Sequence, residues 1–441
     1  MHSLNRSVAT DRQRCSSLSS LLFAAMLFPA AGIANAYDLN GFTLSGDIRT
    51  GWVQYDYDNP NGDPDINKGH KDSRGWYLVP KISLATPDYN GFSGKITAAG
   101  ATDFGLNDAE KETRNFVFDP VELKSFALVQ ELYVQWANDA NRVMIGRNEY
   151  VTPMIDADDY YMLANSFAMG VYENRFFANT DIRAGYFAEM AGVWDSGANG
   201  TEFNSMSKAS FVPQENKDAA GDKGIYFVSA DYNNSTHHGQ LWNYYADELY
   251  NTLFIQYDFI KGDDDFNYDI GAQFIDFSEV GKLKSSDTEI DYSLYSLRYN
   301  AGWGNGVSLA TGASKYTDGD GQGSTLGAWG GYPYFANGMI FHFFEAGSLR
   351  NAESYKVQVG YDFIRTRPDT LGVYLRHTRY DLDSDYSFSS AGNPQDLMVM
   401  NGIQLKYRAK NGAYFTGTYE QHDIDDEPRT FALRLIGGIT F

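Results

Sequence analysis

Residues Thr430-Phe431-Ala432-Leu433-Arg434-Leu435-Ile436-Gly437-Gly438-Ile439-Thr440-Phe441 alternate between apolar and mixed side chains. Phe431, Leu433, Leu435, Ile439 and Phe441 point one way; Thr430, Ala432, Arg434, Ile436, Gly438 and Thr440 point the other. A period of two belongs to a β-strand, whose successive side chains leave opposite faces. One apolar face beside a mixed face suits a strand set between lipid and water. The first segment behaves alike, with Phe42, Leu44 and Ile48 against Thr43, Ser45, Asp47 and Arg49. The pattern recurs in Phe126-Leu128-Leu132-Val134-Trp136, in Tyr355-Val357-Val359-Tyr361-Phe363 and in Leu371-Val373-Leu375.

Working inward from the two ends, this periodicity predicts 18 strands, near residues 42–57, 75–86, 92–103, 125–137, 142–148, 167–174, 182–190, 224–232, 239–246, 249–261, 267–279, 289–300, 307–315, 352–364, 371–382, 396–410, 412–422 and 428–441. Short turns such as Pro87–Gly91, Asn138–Asn141, Gly262–Asp265, Trp303–Gly306 and Asn411-Gly412 alternate with longer, mostly polar loops. The longest are Asp58–Arg74, Gly105–Lys124, Glu149–Ser166, Gly192–Lys223 and Tyr316–Asn351. An even number of strands, with turns at one end and loops at the other, is the layout of a transmembrane antiparallel β-barrel. Trp52, Trp76, Trp136, Tyr299 and Phe363 fall near strand ends, where an interfacial aromatic girdle would sit. A 16-stranded barrel is the variant in which 142–148 and 167–174 are not strands.

Composition agrees with this reading. The chain has 441 residues, 43% hydrophobic and 15% aromatic, with 43 Gly and only 12 Pro. Its formal net charge of −22 argues against a nucleic-acid partner, which needs basic patches for phosphates. Mean hydropathy is −0.42, and no run long enough for a spanning helix follows residue 36. Residues 1–36 read as a cleaved signal peptide: Arg6, Arg12 and Arg14, an apolar run from Leu21 to Ile33, then Ala34-Asn35-Ala36. Residues 37–441 then form a single barrel domain. The sole cysteine, Cys15, lies in the leader, so the exported chain needs no disulfide.

A barrel this wide leaves an aqueous channel that something must narrow. The segment from Asn148 to Leu163 is the most apolar of the long loops, carrying Met154, Ile155, Met162 and Leu163 among aromatic residues. Such a composition has no reason to face outside water, so this loop is expected to fold into the lumen. Asp156, Asp158, Asp159, Tyr160 and Tyr161 would then line the constriction. With the apolar residues taken as lipid-facing, strand phase turns Arg49, Lys81, Arg298, Lys356, Arg376, Lys406 and Arg434 inward. A charge on the lipid face costs roughly 2–4 kcal/mol at mid-depth, which favours that placement. Most of these residues lie on the first two strands and the C-terminal third, neighbours once the barrel closes. A basic wall facing loop carboxylates would orient dipolar solutes and hold a carboxylate weakly enough to release it.

A family resemblance attaches to several short motifs. Val143-Met144-Ile145-Gly146-Arg147 is followed by Thr152-Pro153, Asp156, Asp158-Asp159, Leu163 and Phe167. Ala184-Gly185-Tyr186-Phe187 precedes Glu189, and Asn351-Ala352-Glu353-Ser354-Tyr355 runs to Tyr361-Asp362-Phe363, with Gly372–Arg376 next in order. In these stretches, and weakly over the whole chain from residue 37, the sequence resembles the OprD-like porins, substrate-preferring channels of the Gram-negative outer membrane. The resemblance implies an 18-stranded barrel, an inward loop, and a ladder of Arg and Lys guiding small carboxylate-bearing solutes or amino acids. One departure is Leu163-Ala164-Asn165-Ser166-Phe167, where many relatives carry Leu-Pro and an acid before Phe, so substrate preference does not carry over.

Enzyme readings find little support. No G-x-S-x-G motif occurs, and His377, or His422 beside Asp423, reads as a lining or rim residue. Asp58-Asn-Pro-Asn-Gly-Asp63-Pro-Asp65 and Asp318-Gly-Asp320 space oxygens as calcium loops do, but lack the EF-hand glutamate and read as solvated turns. No catalytic residue, metal or cofactor is expected. The expected partners are outer-membrane lipid and lipopolysaccharide, small hydrophilic solutes, and the barrel-assembly machinery through the terminal Phe441; a homotrimer is among the candidate assemblies. The alternative function is a barrel serving as a surface adhesin or structural anchor.

Overall fold

The computed structural model describes residues 36–58, 72–107, 125–157, 162–192, 202–209, 214–285, 291–317, 329–340, 351–364, 369–383, 385, 396–425 and 428–441. Residues 1–35 lie outside them, as do Asp63, Asp65, Asp318 and Asp320. The predicted strands are present. We label the barrel strands β1 (Phe42–Asp58), β2 (Ser73–Ala85), β3 (Phe92–Ala101), β4 (Phe126–Ala137), β5 (Asn141–Asn148) and β6 (Ser166–Asn174). They continue with β7 (Thr180–Ala191), β8 (Ile225–Asn233), β9 (His237–Ala246), β10 (Tyr250–Gly262), β11 (Phe266–Glu279) and β12 (Tyr292–Trp303). The last six are β13 (Val307–Tyr316), β14 (Glu353–Ile364), β15 (Thr370–Asp381), β16 (Leu397–Arg408), β17 (Ala413–Ile424) and β18 (Arg429–Thr440). Every neighbour pair is antiparallel, and β18 returns to β1 from Asp47↔Thr440 to Asp58↔Arg429, leaving no edge. The segments 142–148 and 167–174 are both strands, so the barrel has 18 staves.

Backbone chemistry sets the two ends. Tyr89 and Phe92 exchange hydrogen bonds around Asn90-Gly91, both at positive φ, a turn that matches the twist of paired strands. Two features had no counterpart in the periodicity: short extra strands at Tyr37–Leu39 and Asn204–Ser205, and helices α1 (Gln214–Ala220) and α2 (Gly281–Lys284). On the long-loop side, Asp247-Glu248-Leu249 makes a short link.

The outer surface carries the apolar face. Tyr355, Val357, Val359, Tyr361 and Phe363 of β14 are exposed, while Ser354 on the alternate face is buried. In β4 the phase differs from the sequence expectation. Thr97 pairs with Glu131 and Ala98 with Val129, so Gln130 is a bulge. The inserted residue reverses the faces: Val129, Leu132 and Val134 are exposed outside, whereas Phe126 and Leu128 pack on the interior cluster. His377 lies on the exposed face and contacts Asn401 at 2.8 Å. His422 is buried, while Asp423, next in the strand, bonds Gln421 and Arg429.

Candidate functional site: the lumen and its two inward loops

The loop between β5 and β6, called loop A here, enters the barrel as expected. Tyr150 packs on Phe187 of β7 and Phe227 of β8, at centroid separations of 5.8 and 6.5 Å. Its hydroxyl donates to Glu173 (3.0 Å), and burial holds the phenol well above its ordinary pKa, so it stays a neutral donor. Thr152 and Met154 meet Tyr244 of β9. Met154, Ile155, Met162 and Leu163 are buried. At the returning end, Met162 sits against Gly51 of β1, where a Cβ would collide with its sulfur. Loop A therefore touches the β7–β9 wall and the β1 wall.

Asp156 stands on this loop. Its N–H donates to the Trp329 carbonyl (3.0 Å) and its own carbonyl accepts from Asn165 (3.1 Å). Asp158, Asp159, Tyr160 and Tyr161 lie outside the described residues.

Trp329 belongs to a second inward segment, residues 329–340 in the connection between β13 and β14, here loop B. Sequence reasoning missed it. Ile155 bridges Trp329 and Gly330, Trp329 stacks on Tyr250 (5.3 Å), and its indole N–H donates to the Met206 carbonyl (2.9 Å). Three loops thus meet at Trp329. From there loop B runs along the opposite wall. Gln273 donates to Pro333 (2.9 Å), Tyr380 to Ala336 (2.8 Å) and Thr378 to Asn337 (3.0 Å). Arg376 donates to the carbonyls of Gly338 (2.6 Å) and Asn337 (3.3 Å), and Glu420 accepts the N–H groups of Met339 and Ile340 at 2.6 Å each.

The seven predicted basic residues keep the phase expected of them but differ in their partners. Arg49 pairs with Asp47, which also accepts from Tyr414. Lys81 bonds Glu149 at the root of loop A (2.9 Å). Arg298 is held between Asp258 (2.9 Å) and Asp269 (3.0 Å), with Phe335 of loop B over it. Arg376 serves loop B. Arg434 is the register partner of Thr418 and Val53. Lys356 and Lys406 differ: among the described residues neither makes an ion pair, and Lys406 lies over the Tyr374 ring (5.9 Å). A lysine charge without a carboxylate stays available to a passing anion.

The lumen also holds charges that the sequence reading did not single out. Arg142 and Glu173 are register partners on β5 and β6, joined at 2.7 Å, and Arg175 and Arg183 reach Asp181 at 3.3 Å each. Glu131, buried in β4, takes Lys95 (2.6 Å) and Thr97 (2.5 Å). His238 lies 3.3 Å from Asp231 and 3.5 Å from Asp258. Opposite charges on the same inward face of adjacent staves would have revealed the Arg142–Glu173 pair.

No family model and no curated protein matches the sequence. Solved structures do. OccK9 (OpdG) of Pseudomonas aeruginosa is 13% identical, with 91% of this chain and 98% of that one covered at a TM-score of 0.73. A BenF-like porin of Pseudomonas fluorescens Pf-5 is 14% identical over 91% and 99%, also at a TM-score of 0.73. OpdK of Pseudomonas aeruginosa, solved with vanillate, is 14% identical over 90% and 98%, at a TM-score of 0.68. Agreement over nine-tenths of the chain at a TM-score of 0.73 shows that this protein, an 18-stranded barrel, has the fold of these porins.

Proposed function

We propose that the protein is an outer-membrane porin that passes small hydrophilic solutes by passive diffusion and prefers those bearing a carboxylate. The observation that carries the reading is the pair Lys356 and Lys406, two lumen-facing cations without an ion-pair partner among the described residues, beside walls whose other charges are largely matched. The inward loops supply the narrowing. Loop A contributes Asp156, and on this reading Asp158, Asp159, Tyr160 and Tyr161, as the acidic and aromatic side of the passage. A solute carboxylate meets Lys406, the open one, and then Lys356, half-buried beside Arg298 and Arg376; in a water-filled setting a contact with Lys406 is worth about 1 kcal/mol. Contacts of that size speed entry without trapping the solute. OpdK, with the same fold, was solved with vanillate.

The same reading makes residues 1–36 a cleaved export signal and places the barrel in lipid and lipopolysaccharide. Phe441 exchanges backbone hydrogen bonds with Gly46, and on this reading it is the residue that the assembly machinery recognises. Reconstitution of folded protein into liposomes tests the proposal. Small carboxylates should enter faster than neutral solutes of equal size, and the Lys356→Gln/Lys406→Gln pair should remove that advantage. A barrel that passes nothing would favour the anchor or adhesin reading.

A further inference from the structure

Arg376, Gly402 and Glu420 occupy one register row on three adjacent strands: Arg376 pairs with Gly402, and Gly402 with Glu420. Loop B lies directly on this row. The arginine takes two of its carbonyls and the glutamate two of its N–H groups, so the two ends of the peptide dipole are met by opposite charges. Glycine leaves the gap between them open. A Cβ at Gly402 would come within 2.7 Å of the Met339 sulfur and 3.2 Å of a Glu420 oxygen, and one at Gly338 within 2.5 Å of the Met400 sulfur.

We propose that this Arg–Gly–Glu row is a releasable latch for loop B, with two satisfied states. Docked, the loop backbone separates the charges and completes the constriction. Released, Arg376 and Glu420 face each other across Gly402, about 10 Å apart at the backbone over two strand spacings, a gap that their long side chains close as an ion pair. Neither state strands a buried charge, which is what keeps a two-state element near balance. Removing a bond made only in the docked state tips it. The inference rests on the channel reading for its consequence, but the docking itself is testable without conduction.

A Met339→Cys/Gly402→Cys variant of the barrel provides the test, since the only native cysteine is Cys15 in the leader. Oxidised in membranes with a copper catalyst and dissolved oxygen, which takes the two electrons, it should form a disulfide. The bond should show as a mobility difference between non-reducing and reducing gels and silence slow current fluctuations in planar bilayers, with reductant restoring them. Thr378→Val, which removes a bond made only in the docked state, should instead raise the released population several-fold, lengthening high-conductance dwells. Failure to cross-link in the folded barrel would overturn the docked geometry. A cross-link that leaves the fluctuations unchanged, or a Thr378→Val channel that behaves as wild type, would overturn the latch while leaving the channel reading intact. Absence of any conductance would count against the channel reading, with the cross-link still reporting on docking.

Discussion

The two inward loops are held by different physics. Loop A is packed: Tyr150, Met154, Ile155, Met162 and Leu163 bury apolar surface against Phe187, Phe227 and the β1 wall. Loop B, from Ala336 to Ile340, is hydrogen-bonded: Arg376, Thr378, Tyr380 and Glu420 reach its main chain. Apolar packing is lost gradually and at large cost, whereas a few charge-assisted bonds break together when one partner goes. The difference assigns a permanent partition to loop A and an adjustable one to loop B.

The largest effect should come from the packed side. Phe187→Ala removes a fully buried ring that touches Tyr150, Phe167 and Phe227, and should cost about 3–5 kcal/mol in denaturant unfolding of the detergent-solubilised barrel. A cost below about 1 kcal/mol would mean that loop A is not packed there. Next, Gly51→Leu should expel Met162 from the β1 wall and widen the passage, read as a rise in single-channel conductance with the barrel still folded. Unaltered conductance would detach Met162 from the constriction. On the polar side, Thr378→Val removes one neutral bond to loop B, and its cost of about 1 kcal/mol should barely move unfolding while increasing current noise. If Thr378→Val destabilised the barrel as much as Phe187→Ala, the contrast would collapse. Smallest of all, Asp156→Asn should shift the reversal potential slightly towards anions at low salt and less near physiological strength, where screening acts within about 8 Å.

The strand phases were legible because period two survives in any strand with a lipid-facing side. Phe126 and Leu128 were assigned to the wrong face because Gln130 is one extra residue, and no composition marks a bulge. Loop A announced itself through Met154, Ile155, Met162 and Leu163. Loop B carried a comparable signal, Trp329 through Phe335 and then Met339-Ile340, but it is embedded in the longer connection Tyr316–Asn351, where polar residues masked it. The basic residues were found through strand phase, yet their partners were not. Pairing Arg298 with Asp258 and Asp269 needs the register of three staves, which local pattern does not contain.

The central claim, that Lys356 and Lys406 offer unneutralised charge to a solute in an open passage, is tested most directly by reversal potentials in a gradient of a small organic carboxylate salt. Single channels of the folded protein should open in discrete ohmic steps, and Lys356→Gln/Lys406→Gln should move the reversal potential towards cations with the steps retained. Steps with an unchanged reversal potential, or no steps from folded wild-type protein, would contradict it.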